Sequence, residues 1–159
     1  MINVLFVCLG NICRSPMAEA VFRDKVKKSG LENEIHVDSA GVGHWHVGSI
    51  PHEGTRELLD RKNISYQGMK ARQITEKDWD QFDYLIVMDE NNLHDVKVIR
   101  EEEDVVIEKL MEFVPDVQTI DVPDPYFTGN FDHVFQLVDQ GCEHLLEKII
   151  KDHQLKEEL

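Results

Sequence analysis

Ile2-Asn3-Val4-Leu5-Phe6-Val7, running into Cys8-Leu9-Gly10-Asn11-Ile12-Cys13-Arg14-Ser15-Pro16, is the stretch from which the fold follows. A short apolar run closed by a turn signal reads as a buried strand. Gly10 takes positive φ without cost and Asn11 is among the few residues that tolerate it, so the chain can wind tightly there. Ser15-Pro16 reads as a helix start, with Ser15 at the N-cap and Pro16 at the first helical position. Met17, Ala18, Val21, Phe22 and Val26 then share one helical face, and Gly30 ends the helix. The unit is strand, tight turn, helix.

Outward from this unit the same alternation continues. Ile35 to Ala40 is a second strand, with Ile35 and Val37 alternating against polar neighbours. His52 to Arg61 reads as a helix, Asp83 to Met88 as a third strand, and Asp89 as the cap of a helix running to about Arg100. Val105 to Met111 contains a fourth strand. Asp121 to Thr128 holds Pro123 and Pro125 and is expected to be a loop. Phe131, Val134, Phe135, Val138, Cys142, Leu145, Leu146 and Ile149 form one helical stripe. Strands alternating with helices predict an α/β three-layer sandwich: a four-stranded parallel sheet with helices on both faces. Ligands of such sheets bind beyond the carboxyl ends of the strands, where the Cys8 turn lies. The proline-bearing loop follows the last strand and can reach the same edge.

The chain has 159 residues, 42% apolar and 30% charged, which suits a single globular domain over 1–159. No repeat, linker or low-complexity tract divides it, and no apolar run approaches the roughly 20 residues of a membrane span. The N-terminus lacks the basic and long apolar regions of a signal peptide, so a cytoplasmic protein is expected. Three cysteines without a Cys-x-x-Cys pair argue against a disulfide framework and a structural zinc site. A formal charge of -14 argues against a nucleic-acid backbone as partner. It also means that any anion site must rely on short-range donors.

The Cys8 turn supplies them. A loop wound at a helix N-terminus aims several N–H groups at one spot, and the helix dipole adds positive character. Arg14 contributes a guanidinium able to grip two phosphate oxygens. Donors that hold phosphate also favour a thiolate, and a thiolate can attack phosphorus. Ser15 can donate its hydroxyl to the sulfur.

This constellation, with Asp38-Ser39-Ala40-Gly41 in the second strand and Asp124-Pro125-Tyr126 near the far end, resembles the low-molecular-weight protein tyrosine phosphatases of bacterial type. The resemblance covers nearly the whole chain. It implies hydrolysis of phosphotyrosine through a phosphocysteine intermediate, with Cys8 as nucleophile, Arg14 binding the phosphoryl oxygens and Asp124 as general acid. It implies a phosphate-binding loop of Leu9, Gly10, Asn11, Ile12, Cys13 and Ser15, supported by Ser39. Ile12, Trp45, Tyr126 and Phe127 are implied to wall a slot for an aromatic ring. The implied substrate is a phosphotyrosine-containing protein or peptide, inorganic phosphate is the product, and a monomer is expected. No cofactor, metal, nucleic acid or membrane is called for. The family often carries a second tyrosine where this chain has Phe127. A histidine with which some members brace the loop asparagine has no counterpart, and Met69 lies near its place.

Other readings compete at several positions. Asp121 lies three residues from Asp124, and only the Asp-Pro-Tyr match separates them. Cys13 is either structural or the partner of Cys8 in a reversible disulfide. Cys142 lies on the apolar stripe and reads as core. His44 and His46 flank Trp45 and read as solvated loop residues rather than metal ligands. Arg100 to Asp104 reads as a solvated acidic surface. Arsenate reduction would need further cysteines near the third strand, and the segment 83–95 has none. Phosphoarginine hydrolysis is associated with a smaller, polar residue at the position of Ile12. A non-enzymatic anion-binding module and a thiol switch are the rivals outside phosphatase chemistry.

Overall fold

The computed structural model describes residues 1–118 and 120–157. β1 (Ile2–Cys8) occupies the middle of the sheet because its core residues, Val4 to Val7, are apolar on both faces. Such a strand must be covered from both sides. Successive side chains alternate across the sheet. Val4, Phe6 and Cys8 enter one core with Phe22, Met17, Val138 and Cys142. Leu5 and Val7 enter another with Trp79, Phe82 and Val96.

α1 (Arg14–Lys28) follows the turn, and β2 (Ile35–Gly41) pairs with β1 in parallel, Val4 opposite Val37 and Cys8 opposite Gly41. α2 (Glu53–Arg61) and the short α3 (Asp78–Gln81) precede β3 (Tyr84–Val87). α4 (Glu90–Ile99) leads to β4 (Val106–Lys109) and a 3-10 turn over Leu110–Phe113. α5 (Pro125–Thr128) and α6 (Phe131–His153) end the fold. The strand order is β2-β1-β3-β4, and every pair is parallel, as the alternating pattern predicts. Among the described residues no helix is long and apolar enough to cross a membrane.

Three local expectations change. α1 begins at Arg14 with Cys13 at the N-cap and no side-chain cap, because the Ser15 hydroxyl is turned onto Cys8 instead. The segment expected to be wholly loop contains α5, since Pro125 stands at the first helical position, where its missing N–H costs nothing. α3 has no sequence expectation; Trp79 and the buried Asp78 anchor it. The acidic stretch 101–104 is exposed, as expected.

Candidate active site

The end of β1 becomes a tight turn whose carbonyls are drawn outward. Cys8 O accepts from Val42 N–H at 2.9 Å, Leu9 O from Gly43 N–H at 2.9 Å, and Ile12 O from His52 N–H at 2.7 Å. Cys13 O accepts from the Thr55 hydroxyl at 3.2 Å. With carbonyls turned out, the opposite ends of these peptides face the inside of the turn. Of the two residues expected at positive φ, Asn11 adopts it, at 57°, whereas Gly10 does not. Gly10 serves by lacking a side chain: a Cβ there would lie 3.1 Å from His46 Cδ2.

Cys8 Sγ is buried at the floor, 2.9 Å from Ser15 Oγ and 3.3 Å from the Asn11 N–H nitrogen. Asn11 Nδ2 donates to Ser15 Oγ at 2.8 Å and to Ser39 Oγ at 2.9 Å. Ser39 Oγ donates to Glu19 Oε1 at 2.6 Å. Because Ser15 Oγ already accepts from Asn11, its own proton can go to the sulfur at 2.9 Å, with Ala40 O at 3.5 Å as the more distant alternative acceptor. Asn11 Oδ1 accepts from the Arg72 backbone N–H at 3.0 Å. That contact braces the loop asparagine without a histidine, and the buried Met69 lines one small hollow with Asn11.

Arg14 is almost wholly buried. Its Nη1 lies 2.5 Å from Asp89 Oδ2 and donates to Val122 O at 2.9 Å, and its Nη2 lies 3.5 Å from Asp124 Oδ2. Burial disfavours the guanidinium charge, but Cys8, Asp89 and Asp124 outweigh it and raise the pKa of Arg14 further. Asp124 caps α5, its Oδ1 accepting from Tyr126 N–H at 3.0 Å. Asp121 instead pairs with Lys109 at 3.2 Å, on the exposed surface. Of the two loop aspartates, only Asp124 reaches Arg14.

Over the turn lies a cleft of about 160 Å³ lined by Leu9, Gly10, Ile12, Trp45, His46, Asp124, Tyr126 and Phe127. Larger hollows lie elsewhere, one of about 340 Å³ between α1 and α6. The smaller cleft is the one joined to the thiol-bearing loop. Ile12 is buried, while Trp45, Tyr126 and Phe127 are largely exposed, so the walls stand up from the surface. All four expected slot residues line the cleft.

Sequence reasoning missed four contributors. Asp89 was visible only as a helix cap, and one carboxylate does both tasks: Oδ1 accepts from Asn92 N–H at 2.8 Å while Oδ2 faces Arg14. Glu19 carried a signal, a carboxylate inside the buried stretch Ala18 to Phe22. His46, expected to be solvated, lines the cleft half-buried, with its ring centroid 6.3 Å from that of Tyr126. Arg72 carried no local signal.

Residues 3–155 match the family model described as low molecular weight phosphotyrosine protein phosphatase. The low molecular weight protein-tyrosine-phosphatase YfkJ of Bacillus subtilis is 55% identical over 156 residues, 98% of this chain and 100% of that protein. PtpA of Staphylococcus epidermidis, described likewise, is 46% identical across 99% of each chain. The crystal structure of YfkJ superposes with a TM-score of 0.94, covering 96% of both chains. A Drosophila arginine phosphatase, DARP, superposes with a TM-score of 0.85 at 31% identity, covering 94% of this chain and 98% of that one. With the thiol, guanidinium and carboxylate gathered at one strand end, these likenesses leave a single conclusion: the chain belongs to the low-molecular-weight protein-tyrosine-phosphatase family and is a phosphatase of that type.

Proposed function

We propose that Cys8, Arg14 and Asp124 carry the reaction, on phosphotyrosine of a protein or peptide. The observation that carries this reading is the Cys8 sulfur, held within hydrogen-bond reach of the Ser15 hydroxyl and the Asn11 N–H beside a buried guanidinium. The phosphoryl group sits in the turn, its oxygens met by Arg14 and inward N–H groups. The Cys8 thiolate attacks phosphorus as the bond to the phenolic oxygen breaks, and protonated Asp124 delivers its proton to that oxygen. Ionised Asp124 then takes a proton from water as the water oxygen attacks phosphorus. The S–P bond breaks, inorganic phosphate leaves, and thiolate is restored. Every charge that develops is met by a group of this chain, and the scheme calls on no cofactor.

Ile12, Trp45, Tyr126 and Phe127 support the choice of substrate: apolar walls around a narrow cleft suit a phenyl ring. The buried, apolar Ile12 favours a ring over a planar guanidino group. Three free thiols suit a reducing, cytoplasmic site of action. The reading also takes residues 1–159 as one domain acting as a monomer.

Hydrolysis of para-nitrophenyl phosphate and of phosphotyrosine and phosphoarginine peptides, with a chelator present, tests this directly. Wild type is expected to turn over the aryl ester and the phosphotyrosine peptide, and Cys8→Ser to turn over neither while still binding phosphate. Faster turnover of phosphoarginine, or activity in Cys8→Ser, would overturn the reading.

A further inference from the structure

We infer that Arg72 is a positioning residue for the nucleophile, acting through Asn11 and Ser15 and held in place by Asp78 and Asp38. This rests on the reading of Cys8 as nucleophile. A side-chain amide has two ends of similar shape, and only its partners decide which way it faces. Here both ends are assigned. Asn11 Nδ2 uses both protons, on Ser15 and Ser39, and Oδ1 accepts from the Arg72 peptide N–H. Were the amide turned over, its oxygen would face Ser15 and draw the hydroxyl proton away from the Cys8 sulfur. Its oxygen would also face Ser39, whose proton is committed to Glu19. The network therefore has one direction, set by an obligate donor, the Arg72 N–H, and an obligate acceptor, the Glu19 carboxylate.

The Arg72 side chain fixes the donor end. Residue 72 lies in a segment outside any helix or strand, tied to β2 where Gly41 N–H donates to Arg72 O at 2.8 Å. The guanidinium makes a two-pronged pair with the buried Asp78, at 3.0 and 3.2 Å, and a third contact to Asp38 of β2 at 3.1 Å. Asp78 also accepts from Thr75 N–H at 2.9 Å, closing the segment on α3. A bidentate pair of this kind constrains orientation as well as distance. Burial works against the Arg72 charge, and the two carboxylates more than offset it. An ion-pair cluster on the sheet edge thus sets the hydroxyl that faces the thiolate.

The test is alkylation of Cys8 by iodoacetamide at mildly acidic pH, read alongside kcat and KM for an aryl phosphate. Arg72→Met is expected to slow alkylation about tenfold, the scale of one hydrogen bond to a charged group, and to lower kcat with KM changed less than about twofold. Placed in a Ser15→Ala background, Arg72→Met should slow alkylation no further, because the hydroxyl through which it acts is gone. Wild-type alkylation in Arg72→Met, or equal slowing with and without Ser15, would overturn the inference. If Arg72→Met does not fold, Arg72→Lys and Asp38→Asn carry the same comparison, with about threefold slowing expected in each and no slowing decisive against it. Alkylation reads the thiol whether or not the protein turns over substrate. Slowed alkylation in a wild-type-inactive protein would sink the catalytic reading and leave the positioning role standing.

Discussion

Cys8, Cys13 and Cys142 are one side chain in three surroundings. Burial, reinforced by the neighbouring Cys8, pushes the Cys13 thiol from 9.0 up to about 12. Burial pushes Cys142 up as well. A thiol raised in the folded state holds its proton longer than in the unfolded chain. Its stabilising contribution is whole below about 9 and is lost as pH rises toward about 12. Urea melts at neutral and at alkaline pH should show stability falling by up to about 1.4 kcal/mol per pH unit from Cys13, and Cys13→Ala should flatten the slope. Asp124 and Asp121 pose a second question at this scale. Asp124→Ala is expected to slow turnover roughly 10²-fold, more for poor leaving groups, and Asp121→Ala to leave it near wild type. The opposite pattern in leaving-group dependence would move the acid to Asp121. The proposed nucleophile was legible because thiol, arginine and serine share one short turn. Glu19, Arg72 and Asp89 were far less so, because they reach the site through space from separate elements.

The helix α4 shows how an element can be tied to chemistry by its first residue. Asp89 closes a capping box with Asn92 and anchors Arg14 with its other oxygen. Asp89→Asn keeps a capping oxygen but removes the charge facing the guanidinium. It is expected to lower kcat/KM about tenfold and to cost stability by leaving the buried Arg14 short of a partner charge, whereas Asp89→Ala should lose about 1 kcal/mol more from the cap. Thermal melts beside kinetics on both variants separate the two roles, and equal melting temperatures would show that the cap carries little. The existence of the longer elements was plain from period and punctuation, as in the stripe that becomes α6, but that of the four-residue α3 and α5 was not. Element ends were not. Ser15 is a good cap by type, yet the sulfur at 2.9 Å claimed its hydroxyl, and Cys13 took the cap position. Proline at 125 suggested a break, but the first turn of a helix accepts it.

Across the whole molecule, a formal charge of -14 surrounds a site built for an anion. Nearby donors set affinity once the phosphate arrives, but the field beyond them acts on the approach. Raising salt at low ionic strength should therefore raise kcat/KM for a small aryl phosphate. It should lower kcat/KM for a phosphotyrosine peptide flanked by lysines, as the Debye length falls below about 10 Å. A common slope for both substrates would show that the global charge does not steer association. The parallel sheet with helices on both faces was readable because strands alternate with helices along the chain; the strand order and the meeting of distant loops at the end of β1 were not, since no local pattern encodes them. One such meeting is Val122, whose N–H donates to Met88 O at 2.8 Å and whose carbonyl accepts from Arg14 at 2.9 Å. Two residues on, the chain carries Asp124 and then the exposed Tyr126 and Phe127. Amide hydrogen exchange should thus show a step within a few positions, slow at Val122 and fast across 126–128. Phosphate, by occupying Arg14, is expected to move the boundary of that step toward the C-terminus.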